Sequence, residues 1–473
     1  MKQYFQHLIN FVFIGGFLLV MSCTHDNQEL VTSSIKSVTA TPNAIAQGGD
    51  LTLIVDADPI GSANYLWNSA IGNFSDPQND TTVWTAPDVP GTYVISVVVT
   101  DDLGSNVATV EVGVDVYIAD VFPAYVGINN CAQCHSGLVD QWNGTSHAHA
   151  LQTLVNIGRD NNSRCLSCHT VGYDPDINNG GYDEVPVARL ANVSCENCHG
   201  PGSEHNGEPA GIEISYDVNT CAVCHQGEHH PFFDEWSMSA HATSLESAGG
   251  FVTQNKNCIK CHISEAFVAA LKTGTVPEID DLPSMNPINC AACHDPHSHN
   301  SDGQLRIASV DLVCGECHTA GSIADVNDPG EPHHSQWNML HGTDGLEYEG
   351  FEYPDSPHQF VVETKCAACH VSSEPFGGDG SPAKTGHTFE PELRACQTCH
   401  PNSLDFDING VQTSITMLTE ELRAELDALG DEESVAYKQA LYNLEFVEAD
   451  ASHGVHNYKY AKALLESSIA NLN

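Results

Sequence analysis

The sequence predicts a multidomain chain in which an N-terminal all-β sandwich precedes a loop-rich, mainly α-helical region and a set of C-terminal helices. Residues 35–116 lack cysteine and alternate β-branched with polar residues, whereas residues 131–400 repeat one cysteine motif nine times. Beyond Asn402, apolar residues recur at helical spacing. The predicted segments are a signal peptide (1–22), a tether (23–34), the sandwich (35–116), the cysteine-rich domain (117–405) and a C-terminal helical segment (406–473).

The chain start predicts export. Lys2 precedes an apolar run from Leu8 to Met21, which has the form of a secretory signal and is too short for an ordinary membrane span. Leu19-Val-Met-Ser-Cys23 resembles the lipobox of bacterial lipoproteins, which implies lipidation at Cys23. Thr24 in the next position favours the outer membrane, with either a periplasmic or a cell-surface face. The alternative is a simple signal peptide that is removed together with Cys23.

The cysteine-free segment predicts an antiparallel sandwich of short strands. Five alternating runs are separated by Gly, Pro and Asp turn signals, and they cover residues 51–55, 64–67, 81–84, 93–100 and 107–112. The segment resembles bacterial immunoglobulin-like and polycystic-kidney-disease-type modules, with Trp67 in the central-strand position and Tyr93 in the penultimate strand. We expect a spacer or docking module; carbohydrate binding is the alternative.

The repeated motif is Cys-x-x-Cys-His, which is the attachment signature of c-type haem. A single Cys-x-x-Cys could equally belong to a zinc site or a redox dithiol, but neither requires histidine in the next position in all nine copies. The haem-bonding cysteines are, in chain order, Cys131 and Cys134 (motif 1), Cys165 and Cys168 (motif 2), Cys195 and Cys198 (motif 3), Cys221 and Cys224 (motif 4), Cys258 and Cys261 (motif 5), Cys290 and Cys293 (motif 6), Cys314 and Cys317 (motif 7), Cys366 and Cys369 (motif 8), and Cys396 and Cys399 (motif 9).

The histidine of each motif is the predicted proximal ligand of a haem iron. These are His135, His169, His199, His225, His262, His294, His318, His370 and His400. Nine haems leave roughly 30 residues for each, too few for a conventional core between them. We therefore expect the haems themselves to form the core of this domain.

Further histidines stand in repeating local settings. An aromatic-then-His segment occurs as Trp142-x4-His147, Trp236-x4-His241 and Trp337-x3-His341, while His205 and His297 closely follow motifs 3 and 6. Residues 123–300 resemble the tetrahaem cytochrome c-554 family, which is linked to hydroxylamine oxidoreductase. The resemblance lies in Tyr125-Val-Gly, motif 1, the first aromatic-then-His segment and Cys-His-Gly-Pro-Gly-Ser-Glu-His205. It implies that His147, His205 and His241 are distal iron ligands of haems other than their sequence neighbours.

The chain contains enough histidines to give every iron a second one. Other candidates of the kind found in larger multihaem chains are His230, His334, His358 and His387, and each has the alternative of being a solvated loop histidine. With His456, the predicted distal ligands are His147, His205, His230, His241, His297, His334, His341, His358, His387 and His456. Methionine ligation has only Met238, Met285 and Met339 to offer.

The C-terminal segment predicts amphipathic helices, with apolar residues such as Ile415, Leu422 and Leu464 at helical spacing. Gly454-Val-His456-Asn-Tyr-x-Tyr-Ala461 resembles the segment by which pentahaem nitrite reductases and octahaem oxidoreductases place a distal histidine, which implies that role for His456. Such helices also build oligomer contacts in those enzymes, so a homo-oligomer is an open alternative to plain core packing. Asp405-x-Asp407-x-Asn409-Gly410 begins like a calcium loop, but Thr416 stands where a glutamate is expected. The alternative is a polar turn that leads into the helices.

Composition narrows the partners. The chain has 62 acidic residues and 16 basic ones, which excludes a nucleic-acid phosphate backbone or an anionic lipid surface as its binding partner. Other redox proteins, metal ions or small oxidants are favoured as partners, and the alternative is that the acidic residues serve solubility alone.

Bis-histidine haems pass single electrons, so the sequence predicts an electron carrier. The rival hypothesis is a reductase of nitrite, hydroxylamine or a sulfur oxyanion with one open haem. The chain lacks a Cys-x-x-Cys-Lys motif and has few basic side chains for such a site.

Overall fold

A computed structural model describes residues 34–102, 104–116, 123–177, 179–205, 207–247, 250–377, 383–430 and 433–472. The predicted signal peptide, nearly all of the tether and the lipidation site Cys23 lie outside these residues. The chain divides into two compact units, Met1–Ile118 and Ala119–Asn473, each described here by itself. Among the described helices, none has the length and hydropathy needed to cross a lipid bilayer.

The first unit contains two four-stranded sheets. Its strands are Ser34–Thr41 (β1), Ala44–Ile45 (β2), Asp50–Asp58 (β3), Asn64–Ser69 (β4), Asn73–Phe74 (β5), Thr81–Thr85 (β6), Gly91–Asp101 (β7) and Gly104–Val114 (β8). One sheet has the order β1-β3-β6-β5 and the other β2-β8-β7-β4. The short β2 runs parallel to β8, and the other pairs are antiparallel. All five predicted strand runs lie within these strands.

The sandwich core comes from inward-facing residues of both sheets, because alternate side chains of a strand point to opposite faces. Trp84 of β6 is fully buried and its ring centroid lies 5.9 Å from that of Tyr93 in β7. The Tyr93 hydroxyl donates a hydrogen bond to the Val89 carbonyl. The corner tyrosine of immunoglobulin folds makes the same kind of bond to the backbone a few residues before it. Trp67 is buried on β4, as the resemblance implied.

The second unit consists of short helices joined by loops and ends in three longer helices. Its α-helices are Ile128–Trp142 (α1), Ala150–Asn156 (α2), Ser163–His169 (α3), Cys195–His199 (α4), Asn219–Ala222 (α5), Phe232–Trp236 (α6), Lys256–His262 (α7), Ser264–Thr273 (α8), Cys290–Cys293 (α9), Val310–Gly315 (α10), Gln336–His341 (α11), Pro357–Val361 (α12), Cys366–His370 (α13), Leu393–Gln397 (α14), Val411–Leu429 (α15), Val435–Asp450 (α16) and Tyr458–Leu472 (α17). His147–His149 and Ala240–Thr243 are among the 3-10 turns. The predicted fold class is confirmed.

The second unit has a large apolar core only at its C-terminal end. There α15, α16 and α17 pack together around buried residues such as Ile415, Phe446 and Leu464. Between residues 123 and 400 the described apolar clusters are small, and the larger ones surround Ile259 and Phe267. A loop-rich segment with so little apolar core agrees with the expectation that cofactor surface replaces it.

The calcium-like loop serves as a helix start in this structure. One carboxylate oxygen of Asp407 accepts hydrogen bonds from the amides of Gln412 and Thr413, and the other accepts one from the Thr413 hydroxyl. These bonds satisfy free N–H groups at the beginning of α15 and lower the pKa of Asp407. The polar turn named above as the alternative to a calcium loop therefore describes these contacts.

Candidate haem-binding sites

Each attachment motif begins within a short helix. One helical turn places residues i and i+3 on the same side, so both thiols of a motif could bond the same porphyrin and the next histidine would be available to its iron. Asparagine caps the helices of motifs 2, 5 and 6: the side chains of Asn162, Asn255 and Asn289 each accept a hydrogen bond from the amide two residues later. Local capping thus sets the geometry of these motifs.

Thiols of different motifs meet one another. Five pairs of thiols from different motifs lie close together: Cys131 with Cys195, Cys168 with Cys224, Cys221 with Cys290, Cys261 with Cys317, and Cys314 with Cys366. The packing of α1 on α4 and of α10 on α13 agrees with two of these contacts. The paired motifs therefore lie beside each other, although in four of the five pairs another motif separates them in sequence.

Several proximal histidines make a hydrogen bond through one ring nitrogen. In five of them Nδ1 lies within hydrogen-bond distance of a backbone carbonyl oxygen, to which a protonated Nδ1 donates; the pairs are His169 with Ala150, His199 with Glu213, His262 with Ser244, His294 with Gly303, and His370 with Phe389. This bond favours the tautomer whose Nε2 carries a lone pair. That nitrogen is the one that can bind iron, and the Nδ1 bond orients its ring.

Nine of the ten predicted distal histidines lie across from a proximal histidine. In five pairs each ring has a single such partner, and the ring centroids are 6.3 Å apart for His135 and His205, 6.0 Å for His199 and His297, 6.3 Å for His294 and His387, 6.2 Å for His370 and His456, and 6.5 Å for His400 and His358. Two imidazoles on opposite sides of one metal ion have their centroids about 6 Å apart, because each metal–nitrogen bond is about 2 Å long. The spacing therefore fits an iron between the rings.

Two proximal histidines each face two candidates. His225 lies 6.0 Å from His147 and 6.3 Å from His230, measured between ring centroids. His230 also interacts electrostatically with His169, the proximal histidine of motif 2. If each iron takes one distal ring, His147 would pair with His225 and His230 with His169.

The same arrangement recurs around His318, which lies 6.1 Å from His241 and 5.7 Å from His334. Ligand nitrogens of His334 and His333 lie within 4.8 Å of one another and of one from His262, the proximal histidine of motif 5. On the same basis, His241 would pair with His318 and His334 with His262. His333, which the sequence prediction did not include, lies close enough to be a second candidate for that iron.

Burial favours the uncharged form of many proximal and distal histidine rings. Desolvation lowers the pKa of His225, His241 and His334 to about 4, so all three are neutral at pH 7. The same cause lowers the pKa of His147, His230, His294, His318, His358, His370 and His387. Neutral imidazole is the form that binds a metal ion.

His341 differs from the other nine predicted distal ligands. Its Nε2 lies 3.1 Å from both carboxylate oxygens of Asp311, and its Nδ1 accepts a hydrogen bond of 2.7 Å from the Gln359 side chain. Its ring packs on Trp337 with the centroids 4.2 Å apart. Both ring nitrogens of His341 therefore have hydrogen-bond partners, and none of the ring contacts among the described residues places His341 across from a proximal histidine.

Two buried carboxylates that the sequence analysis missed support the sites. Glu196, inside motif 3, accepts hydrogen bonds from the amides of Val126, Gly127 and Gly202. Asp450 of α16 accepts one from Nδ1 of His456. Burial would lower the pKa of His456, but the Asp450 carboxylate outweighs it and raises that pKa. The only sequence signal for either was an acidic residue near a motif, which is too common to be informative.

Comparison with known proteins identifies the class. The family model for cytochrome c554 and c-prime matches residues 130–200 and 220–295, and that for outer membrane cytochromes of the MtrC/MtrF type, domains II/IV, matches residues 285–436. The chain is a multihaem c-type cytochrome. The resemblance to the cytochrome c-554 family is thereby confirmed over the region that carried it.

Individual relatives match parts of this cytochrome. Multiheme cytochrome MtrA of Shewanella baltica is 24% identical over 33% of the chain and 51% of its own length, and cytochrome c-554 of Nitrosomonas europaea is 30% identical over 18% of the chain and 41% of its own length. The matched part thus spans about half the length of these curated relatives. The solved structure of outer cell wall cytochrome OcwA is similar in fold, with a TM-score of 0.56 and 23% identity over 74% of this cytochrome and 100% of that chain.

Replacing Asp450 with Asn is expected to raise the reduction potential of one haem by on the order of 50 mV, equivalent to about 1 kcal/mol. The carboxylate makes His456 a stronger electron donor and so favours ferric iron, and the amide lacks the charge. Spectroelectrochemical titration would show one haem in nine shifted upward. Asp427→Asn, at an exposed site on α15, is the control and should leave all potentials in place. A titration curve of Asp450→Asn that superimposes on the wild type would contradict the expectation.

Proposed function

We propose that this cytochrome transfers electrons through nine covalently bound haems, numbered 1 to 9 in the order of their motifs, each with two histidine ligands. The observation that carries the proposal is the contact between thiols of different motifs. A thioether attaches the porphyrin by its edge, so motifs whose thiols touch hold two porphyrin edges next to each other. Edge contact is the arrangement that passes an electron from haem to haem.

The contacts connect the whole set. The five close thiol pairs link haem 1 with 3, 2 with 4, 4 with 6, 5 with 7 and 7 with 8. Electrostatic interactions of Cys198 with Cys221, Cys293 with Cys317 and Cys369 with Cys396 link haem 3 with 4, 6 with 7 and 8 with 9. Every haem can therefore exchange electrons with at least one neighbour, and haems 2 and 5 branch from a path that leads from haem 1 to haem 9.

The ligand count supports an electron carrier over a reductase. Nine candidate distal histidines lie near proximal ones, so with one assigned to each iron both axial positions would be filled by imidazole and little rearrangement would accompany reduction. A reductase requires an open position where substrate binds. We therefore place this cytochrome between redox protein partners, one that donates and one that accepts electrons.

The test is the optical spectrum of the dithionite-reduced holoprotein with and without carbon monoxide, which binds ferrous haem only at an open or weakly held position. The expected result is an unchanged Soret band, together with complete reduction of nine haems from a single electron donor. His387→Ala is the positive control, because it should open haem 6 and shift the Soret absorbance by one haem in nine. A shift in the wild type, accompanied by turnover of nitrite or hydroxylamine, would establish the reductase instead.

We further propose that the cytochrome is exported and anchored at the outer membrane through lipid on Cys23. The motif around Cys23 and the match to an outer membrane cytochrome model support this placement. Replacing Cys23 with Ala should release the protein from the membrane fraction and abolish incorporation of labelled fatty acid, while the haem content stays at nine. Retention of the variant in the membrane fraction would contradict the lipid anchor.

A further inference from the structure

The haem region repeats itself in units of three motifs. Module 1 (residues 123–205) contains motifs 1 to 3, module 2 (216–300) motifs 4 to 6, and module 3 (310–405) motifs 7 to 9. Each module has an aromatic-then-His segment after its first motif, and the histidines of these segments are His147, His241 and His341. A repeat of this kind predicts equivalent contacts in each copy.

Modules 1 and 2 share their internal hydrogen bonds. The indole N–H of Trp142 donates to the Val193 carbonyl, and that of Trp236 to the Ile288 carbonyl; each acceptor lies two residues before the third motif of its module. The proximal histidine of the second motif bonds to the carbonyl three residues after the segment histidine: Ala150 in module 1 and Ser244 in module 2. The two copies therefore share these contacts as well as the order of their motifs.

Neighbouring modules exchange iron ligands by one rule. The segment histidine faces the first proximal histidine of the next module, as His147 faces His225 and His241 faces His318. In return, the next module provides a histidine for the second motif of the module before it, by pairing His230 with His169 and His334 with His262.

The third motif obeys the rule as well. Its proximal histidine faces a histidine of the following module, His297 for His199 and His387 for His294. Each internal module is therefore complete only in contact with its neighbours.

The two ends of the array depart from the rule in the way it requires. Haem 1 has no preceding module and pairs with His205 of its own module. Haem 9 has no following module and likewise pairs with His358 of its own module. Haem 8 receives His456, which lies between α16 and α17 and outside all three modules.

The third aromatic-then-His segment has no next module to serve. His341 is bonded to Asp311 and Gln359, and the buried indole N–H of Trp337 has no hydrogen-bond acceptor among the described residues. The segment instead packs on α16. The side chains of Ser335 and Gln336 donate to the Phe446 and Ala449 carbonyls, respectively.

We infer that the C-terminal helices α15 to α17 occupy the place of a fourth haem module and close the array. They supply the distal histidine of haem 8, which in modules 1 and 2 comes from the following module. They also cover the third segment, so that His341 has no iron to bind. This inference rests on the distal pairs proposed above and adds which histidine is left over and why.

The test compares four alanine variants of the full-length holoprotein: His147→Ala, His241→Ala, His456→Ala and His341→Ala. Electron paramagnetic resonance counts high-spin ferric haems, and carbon monoxide binding counts open ferrous ones. We expect one high-spin haem in nine for each of the first three variants and none for His341→Ala. Haem content, measured as the pyridine haemochrome, should stay at nine in all four.

The outcomes separate this inference from the proposed function. If His147→Ala and His241→Ala produce no high-spin haem, the proposed distal pairs fail. If those two behave as expected but His341→Ala also opens a haem, or His456→Ala does not, the capping role of the C-terminal helices is overturned. Where an alanine variant loses haem, the methionine variant at the same position serves instead. A methionine in place of His147, His241 or His456 should ligate the iron and raise the reduction potential of one haem. A methionine in place of His341 should leave all reduction potentials unchanged.

Discussion

Without haem attachment, residues 123–400 are expected to lose nearly all protection from hydrogen exchange, whereas the strands between residues 34 and 114 keep theirs. The sandwich has a continuous buried core that includes Trp84, Ile95 and Val112. The described apolar clusters of the haem region are far smaller, and its distal histidines have nothing to bind when the irons are missing. Cofactor binding and folding are therefore one event in this region.

The measurement is hydrogen exchange with mass spectrometry on the chain produced without haem ligation, compared with the holoprotein. The C-terminal helices are an internal reference, since α15 to α17 have their own core and should retain partial protection. Slow exchange across the haem region of the haem-free chain would contradict the expectation and would show that protein contacts alone suffice to fold it.

Glu196→Gln is expected to destabilise the start of module 1 by about 3 kcal/mol. The carboxylate has two oxygens that accept hydrogen bonds from three backbone N–H groups, whereas an amide has only one such oxygen. Glu196 is 2% exposed, so water cannot replace the lost bonds. The amides involved belong to Val126 and Gly127, which precede motif 1, and to Gly202, which precedes His205. We expect haem 1 to become partly high-spin as its two ligand segments separate.

Exchange of these three amides should become on the order of 100-fold faster, in line with that loss of local stability. Glu213→Gln is the matched control, because Glu213 is exposed and should change local stability by less than about 0.5 kcal/mol. Unchanged exchange at Val126, Gly127 and Gly202 in Glu196→Gln would show that the carboxylate contributes little to holding haem 1.

The strands of the sandwich were predictable from sequence because each strand with one buried face alternates its side chains along the chain. The C-terminal helices were predictable for a similar reason, although Leu429 and Val435, which fit the helical pattern, are 43% and 44% exposed at helix ends. The apolar periodicity shows which face of a helix is buried, but it does not show at which residue the burial of that face ends.

Sequence alone predicts the same role for His341 as for His147 and His241, because the local sequences of the three histidines are alike. Only the neighbour of each segment differs: another haem module in the first two cases and the helix α16 in the third. Likewise the buried Asp450 cannot be recognised as the partner of His456 until α16 and the loop after it have folded together.

The sequence by itself determined that this is a multihaem c-type cytochrome and which residues form its attachment motifs. Attachment is local chemistry, since two thiols one helical turn apart and the adjacent histidine define it completely. Only the tertiary structure brings each candidate distal histidine close to a proximal one, places the attachment motifs beside each other and sets His341 apart from them. Those relations join residues from different modules, and they depend on how the modules pack around their haems, which no spacing along the chain records.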